Sequence, residues 1–303
     1  MRTTLLFAGL AWAAVGTGAE PVVQRREAAE GPALSLRSAG KLDPKLVPEC
    51  SALFPGRRMP GVFWTLSDSG AKPVLIPVRA DGSKVFTSKG YAQGVALAGA
   101  TNVDWEALTG DEDGNLIVGD VGNNVSRRKE LAFYLCAEPA PEAASVPARK
   151  VTFAWPDQTA FPDPELAHDC EAMFFLRGKL YLLTKHRRDT LTDLWRADIP
   201  ATGDRATLVK LARFDIGGMV TDACLSPDRS RLAVLTYRNV WVFDLPVTGE
   251  DFFRGRAVYA ALSPPVLSFQ LEGCAWADSA HLLLGSEQGD LFRLPLADLR
   301  EVK

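Results

Sequence analysis

A repeated hairpin pattern, which begins near residue 49, constrains the fold of this chain more than any other feature. Short runs rich in Leu, Val, Ile and Tyr, such as "NLIVGDV", "KLYLLTK", "RLAVLTY" and "HLLLGSE", follow turns that contain Gly, Asp, Ser or Pro. An acidic residue begins each unit, and the five starts lie 55, 65, 53 and 50 residues apart: Glu49, Asp104, Asp169, Asp222 and Glu272. Short strands in units of about 40 to 50 residues are typical of propeller blades. The pattern predicts an all-β chain folded as a single β-propeller.

The number of repeats predicts five blades. The last unit contains only three strands, so we expect the segment "PALSLRSAG" (residues 32–40) to supply the fourth and close the ring. A sixth, degenerate blade in residues 137–167 or 248–270 is the alternative. The predicted organisation is a signal peptide at 1–19, a flexible N-terminus at 20–32 and a propeller domain at 33–303.

The first residues are typical of a secretory signal. Arg2 is followed by an apolar run from Leu5 to Val15 that is too short to span a bilayer, and Thr17-Gly18-Ala19 offers a cleavage site before Glu20. A retained membrane anchor is the alternative. We expect an extracytoplasmic protein, periplasmic or secreted, that has no membrane partner after cleavage.

Composition narrows the range of partners. The chain has 34 Lys and Arg against 37 Asp and Glu, a net charge of −3. A mildly acidic chain lacks the basic surface that nucleic-acid binding requires, so no nucleic-acid partner is expected. We expect a monomer that binds a small anionic ligand or a protein.

Five cysteines are too few and too widely spaced for a disulfide scaffold or a zinc ribbon. Cys224 and Cys274 occupy matching positions in the repeat alignment. A disulfide between them requires Cα atoms within about 7 Å. Two buried free thiols are the alternative.

The acidic residues suggest a metal site at one mouth of the channel. Residues at i and i+2 of a strand share a face, so Asp104 pairs with Glu106, and Asp169 with Glu171. Hard oxygen ligands favour calcium. The predicted metal ligands come from these pairs and from the ends of the second strands: Asp68, Asp104, Glu106, Asp120 and Asn123. Hydrogen bonding of the acids to backbone N–H groups of adjoining loops is the structural alternative.

Basic and aromatic residues follow the second strands of the third and fourth units. We expect them to bind an anionic substrate or to stabilise developing charge. They are Lys185, Arg187, Arg188, Tyr237 and Arg238.

The segments "FWTLSDSG", "NVDWEAL", "VGDVGNN", "HDCEAM", "LLTK" and "LTYRNVWVF" together resemble secreted bacterial β-propellers of TolB-like or phytase-like type. Propellers related to that group include calcium-dependent lactonases, phosphate-ester hydrolases and binding proteins, and six blades are common among them. Ser67 stands where the group usually has Asn, and Asn123 where it usually has Asp.

Two functions are consistent with these features. In a metal-assisted hydrolase, calcium polarises an ester, lactone or phosphoester oxygen while Glu171 and Asp169 serve as catalytic carboxylates. In a non-catalytic module, the same mouth binds a ligand or a protein partner, and the carboxylates are structural.

Overall fold

A computed structural model describes residues 20–27, 30–85, 94–140, 143–263 and 269–302. The predicted signal peptide at 1–19 lies outside the described residues. Among the described residues, no helix has the length and apolar character needed to cross a membrane.

The described chain consists of short strands and two 3₁₀ helices, Phe252–Arg254 and Leu296–Asp298. Three strands precede the repeats: β1 (Val23–Gln24), β2 (Leu34–Ser35) and β3 (Arg37–Lys41). Blade 1 contains β4 (Cys50–Pro55), β5 (Val62–Ser67), β6 (Val74–Arg79) and β7 (Val95–Ala98). Blade 2 contains β8 (Trp105–Gly110), β9 (Asn115–Asp120), β10 (Leu131–Ala137) and β12 (Arg149–Phe153). Between β10 and β12 in the chain, β11 (Ser145–Pro147) joins the sheet of blade 1. Blade 3 contains β13 (Cys170–Leu176), β14 (Lys179–Thr184), β15 (Leu191–Asp198) and β16 (Thr207–Asp215). Blade 4 contains β17 (Val220–Leu225), β18 (Arg231–Thr236), β19 (Asn239–Asp244) and β20 (Ala257–Ser263); blade 5 contains β21 (Leu271–Asp278), β22 (His281–Ser286) and β23 (Asp290–Pro295), and β24 (Arg300–Glu301) follows.

The fourth strand of blade 5 is β3, which pairs antiparallel with β23 so that Lys41 lies opposite Asp290. The prediction that an N-terminal strand closes the ring is therefore confirmed. The segments considered for a sixth blade instead contain β11, β12 and β20, which belong to sheets of blades 1, 2 and 4. The prediction of a five-bladed β-propeller is confirmed.

The segment before β3 runs along the outer edges of blades 3 and 4. β1 pairs parallel with β16, and β2 pairs parallel with β20. Glu20 forms an ion pair with Lys210 at 2.9 Å. The predicted flexibility of residues 20–32 stays a prediction, although part of that segment forms β1.

Five apolar clusters lie between successive blades and form the core. Blades 1 and 2, for example, share a cluster that includes Trp64 and Trp105. Each sheet buries both faces against its neighbours, which explains why the strands are nearly continuously apolar. The innermost strands β4, β8, β13, β17 and β21 contact one another in ring order around the central channel.

Candidate functional site

Each innermost strand has a β-bulge at its N-terminal end. The extra residue lies one position after the first paired residue of the strand: Ser51, Glu106, Glu171, Thr221 and Glu272. A bulge redirects a side chain relative to the regular pleat. Three of the five bulge residues are glutamates, whose charges act on one another across the channel.

The strand register corrects the predicted repeat alignment in two blades. The position occupied by Glu49, Asp104 and Asp169 in blades 1 to 3 is occupied by Met219 and Gln270 in blades 4 and 5. Glu272 is instead the counterpart of Glu106 and Glu171. The prediction that every blade begins with an acid at one equivalent position is therefore wrong.

Asp222 follows the bulge of blade 4 and has a structural role. Its carboxylate accepts hydrogen bonds from the backbone N–H groups of Ala223 at 2.7 Å and Cys274 at 2.6 Å. Burial raises its pKa well above the usual range. The backbone-binding alternative considered for the repeated acids holds at this residue, which links blades 4 and 5.

Cys224 and Cys274 do not occupy matching positions. The residue of blade 5 that is equivalent to Cys224, counted from the bulge, is Ala275. Both are free thiols, with the two Sγ atoms 3.4 Å apart. The prediction that they occupy matching positions is therefore wrong, but the two sulfur atoms are in contact.

Three of the predicted metal ligands converge. Asp68 follows β5, Asp104 precedes β8 and Glu106 is the bulge residue of β8; one carboxylate oxygen from each lies within 4.8 Å of the other two. Gly122 gives them room, because a Cβ at that position would lie 2.5 Å from both Cγ and Oδ2 of Asp104. The loop after β9 is therefore shaped to fit the acidic cluster.

The three carboxylates of the cluster lie close together and are partly or fully buried. Burial, followed by the charges of Asp68 and Asp169, raises the pKa of Asp104 to about 7. Burial and the charges of Glu171 and Asp68 raise the pKa of Glu106 well above its usual range. Near neutral pH, these carboxyl groups must share protons or bind a cation.

The other two predicted metal ligands are engaged elsewhere. Asp120 forms an ion pair with Arg128 at 2.8 Å and accepts a hydrogen bond from the backbone N–H of Asp104 at 3.1 Å. The side-chain amide of Asn123 donates to the carbonyl of His168 at 2.9 Å and accepts from the backbone N–H of Arg128 at 2.8 Å. Both side chains hold the loop that follows β9.

Asp169, predicted as a catalytic residue, is fully buried. Its Oδ1 accepts from the backbone N–H of Asn123 at 2.7 Å and of Cys170 at 3.0 Å, and its Oδ2 accepts from Nε of Arg187 at 2.7 Å. Arg187 also contacts Asn124. The carboxylate of Asp169 thus joins blades 2 and 3 and holds Arg187 beside Glu171, 3.5 Å from its Oε1.

Glu171, the other predicted catalytic residue, belongs to a buried network. Its Oε1 accepts from Nζ of Lys185 at 2.5 Å, and Lys185 also donates to the hydroxyl of Tyr237 at 2.7 Å. The Tyr237 hydroxyl in turn donates to Glu272 at 3.2 Å. Within the described part of the chain, Oε2 of Glu171 is buried and has no hydrogen-bond partner.

The electrostatic environment of this network is unusual for a lysine. Burial acts to lower the pKa of Lys185, but the charges of Glu171 and its neighbours raise it above its usual range. Burial raises the pKa of Glu171 to about 8, against the opposing effect of Lys185. A buried charge is tolerated when it is paired and hydrogen-bonded, and this ammonium donates to both Glu171 and Tyr237.

The remaining predicted basic residues lie outside this network. Arg188 is exposed. Arg238 is half-buried, and its backbone N–H donates to Oγ1 of Thr236 at 3.1 Å. Sequence reasoning missed Arg128 and the bulge position of Glu272, since neither an ion pair across a loop nor a one-residue bulge leaves a periodic signal.

Comparison with known proteins gives no identity. No known protein family and no curated protein matches the chain. Among similar solved structures, a chain in the "Crystal Structure of Mitotic Checkpoint Complex" has 13% identity and a TM-score of 0.37, with 82% of this chain and 64% of that chain covered. Sqt1 from Chaetomium thermophilum has 18% identity and a TM-score of 0.35, with 63% and 43% covered. The same protein bound to the N-terminus of the ribosomal protein L10 has 17% identity and a TM-score of 0.34, with 63% and 45% covered.

This chain therefore spans less than two thirds of the length of each of these chains. At such identities and TM-scores, nothing about the partners of this protein follows from the partners of those proteins.

Proposed function

We propose that this propeller binds a divalent cation, calcium, at the channel mouth through Asp68, Asp104 and Glu106. The observation that carries the proposal is the convergence of three carboxylates within 4.8 Å. Among the described residues, no Lys or Arg forms an ion pair with any of the three. Arg128 lowers the pKa of Asp104 through its charge, but it pairs with Asp120.

The spacing and the chemistry of these oxygens suit calcium. Calcium binds oxygen atoms at about 2.3–2.6 Å, so oxygens on opposite sides of one ion are about 4.6–5.2 Å apart. Three oxygens that lie within 4.8 Å of one another can therefore contact a single ion. Calcium takes six to eight ligands, which leaves positions for water or for an oxygen of a ligand.

A cation also relieves the electrostatic cost of the cluster. The raised pKa values of Asp104 and Glu106 show that the ionised forms are disfavoured when no cation is bound. A bound calcium ion favours the ionised forms and displaces their protons. Binding should therefore release protons at pH 7 and weaken as the pH falls.

The proposal is tested by titrating calcium into chelator-treated protein in a calorimeter, in two buffers of different ionisation enthalpy. We expect saturable binding with proton release, and a loss of affinity of at least about tenfold in Asp104→Asn. The matched control is Asp113→Asn, which removes the same charge from the exposed turn between β8 and β9. No binding by the wild-type protein, or equal loss in both variants, would contradict the proposal.

A second candidate function, hydrolysis of an ester, lactone or phosphoester, is favoured by the unpartnered Oε2 of Glu171. A carboxylate with one free oxygen and a raised pKa is suited to accept a proton from water. In this role Lys185 and Tyr237 orient Glu171, and Asp169 positions Arg187. We include in this proposal a relationship to phytase-like propellers and the extracytoplasmic location that the N-terminal sequence predicts.

This activity is tested by screening lactones and phosphoesters with calcium present. We expect Glu171→Gln, which keeps the size of the side chain, to lose turnover while retaining the circular dichroism spectrum of the folded protein, although loss of the partner of Lys185 lowers the melting temperature. Full activity in that variant would remove Glu171 from the mechanism. Calcium binding without turnover of any substrate would favour the binding module, with a small anionic ligand or a protein as its partner.

A further inference from the structure

A pair of thiols lies in the apolar core between the innermost strands of blades 4 and 5. Cys224 lies near the C-terminal end of β17 and Cys274 lies on β21, with their Sγ atoms 3.4 Å apart. We propose that Cys224 and Cys274 form a disulfide bond between blades 4 and 5, by exchange with a small disulfide that enters from the adjoining cavity. This bond would form whether or not the acidic mouth binds a cation.

The two cysteine positions are fixed relative to each other by hydrogen bonds between the blades. The carboxylate of Asp222 accepts from the backbone N–H of Cys274 at 2.6 Å, and the indole N–H of Trp276 donates to the carbonyl of Cys224 at 3.2 Å. A disulfide requires the sulfurs to approach to about 2.05 Å. Small side-chain rotations at two anchored residues can supply this movement.

The other cysteines provide an internal contrast. Cys50, Cys136 and Cys170 are also buried and free. The thiols of Cys50 and Cys170 contact the carbonyl oxygens of Ala52 and Ala172 at 3.8 and 3.6 Å. Among the described residues, only Cys224 and Cys274 have their sulfurs in contact.

One member of the pair lines a cavity. A cavity of about 500 Å³ opens where the innermost strands end, and its lining includes Cys224, Phe175, Leu225 and Trp276. Cys224 is 7% exposed, whereas Cys274 is completely buried. Cys224 is therefore the thiol that an incoming disulfide meets, and Cys274 is the thiol that resolves the intermediate.

The exchange is balanced. The Cys224 thiolate attacks one sulfur of the small disulfide, and the other sulfur leaves as a thiolate that takes up a proton. The Cys274 thiolate then attacks the Cys224 sulfur of the mixed disulfide and expels the second small thiol. The two cysteines lose two protons and two electrons, which appear in two molecules of small thiol.

Burial controls the rate of this exchange. Burial, together with Cys274 beside it, raises the pKa of Cys224 well above its usual range. The thiolate is the attacking species, so exchange in the folded protein should be slow and should accelerate with rising pH. Exchange during folding avoids this barrier, because the thiols are then exposed.

The test is to expose the reduced protein to oxidised and reduced glutathione at pH 8.5, both in the folded state and during refolding, and to count the free thiols in denaturant. We expect three of the five thiols to remain, with mass spectrometry locating the cross-link between Cys224 and Cys274. The oxidised protein should unfold about 5 °C or more above the reduced protein, because the cross-link restricts the unfolded chain.

Two variants separate the pair from the other thiols. Cys274→Ala removes the resolving thiol, so glutathione should stay attached to Cys224 and the melting temperature should no longer rise on oxidation. Cys136→Ala should still form the cross-link. Five free thiols in the refolded wild-type protein, or a cross-link that involves another cysteine, would overturn the proposal.

Discussion

At the scale of single residues, a shift of one position separates acids that face the channel from an acid that binds the backbone. Glu106 and Glu171 are bulge residues that face the channel, whereas Asp222 lies one residue beyond the bulge and binds backbone N–H groups. In sequence, all three appear as acids near the start of a strand. The sequence therefore predicts that acids gather at the channel, but not which of them remain available for a ligand.

Asp104 should make the unliganded protein less stable as the pH rises. Its folded pKa of about 7 lies above the ordinary aspartate value of 3.8, so its contribution to stability falls as the pH increases between those values. We expect Asp104→Asn, measured by urea unfolding with a chelator at pH 8, to be more stable than wild type by about 1–2 kcal/mol after allowance for solvent screening. Adding calcium should stabilise the wild type and leave the variant unchanged. A variant that is less stable than wild type at pH 8 without calcium would contradict this.

His168 should have its own dependence on pH. Its ring nitrogens contact Asp163 at 2.7 Å and Asp157 at 3.0 Å. Burial acts to lower the pKa of His168, but the two carboxylates raise it above the ordinary histidine value of 6.5. The stability it contributes is therefore fully present below pH 6.5 and is lost as the pH rises through the folded pKa. We expect His168→Gln to reduce the free energy of unfolding more at pH 5.5 than at pH 9, and equal losses at both would refute this role.

At the scale of elements, the loop after β9 shapes the acidic cluster. A Cβ on Gly122 would meet Asp104 and Glu106. We expect Gly122→Ala to keep the fold, because the half-buried Asp104 side chain can move away, but to lower calcium affinity by about tenfold or more by displacing a ligand. Gly218→Ala is the control, since its Cβ would come no closer than 3.2 Å to another atom. Calorimetry on both variants checks this, and unchanged affinity in Gly122→Ala would place the cation elsewhere.

The elements themselves were largely predictable from the sequence. Turn residues and β-type runs marked the first two strands of every blade, because short apolar runs and turn chemistry are local signals. The bulges were not predictable, since one inserted residue changes the register without changing composition. Taking Asp222 and Glu272 as the first residues of their units therefore shifted the alignment in blades 4 and 5.

At the scale of the whole molecule, closure of the ring depends on β3. Removing residues 20–36 deletes β1 and β2 but leaves β3 paired with β23, whereas removing residues 20–41 deletes β3 as well. The second truncation exposes the edge of β23, and an exposed strand edge promotes aggregation. We expect the shorter truncation to remain monomeric and fold cooperatively, and the longer one to lose cooperative unfolding and to aggregate. Chromatography and thermal unfolding check this, and identical behaviour of the two truncations would show that β3 is dispensable.

The fold and the site differ in how far the sequence determined them. The ring follows from a repeated local pattern, and the closing segment around Ser38 was recognisable as a leftover strand. The network of Lys185, Tyr237 and Glu272 joins residues from three blades across the channel. Such convergence depends on the bulges and on the tilt of each blade, for which the sequence has no periodic signal.

Pairing of β3 with β23 also affects the order of events during synthesis. Lys41 and its partner Asp290 are 249 positions apart. When β3 leaves the ribosome, the strand it must pair with has not yet been translated, and blade 5 cannot be completed until nearly the whole polypeptide exists. Contacts between such distant segments form slowly. Because the ring cannot close before its last strands have been made, we expect closure to follow release of the chain from the ribosome.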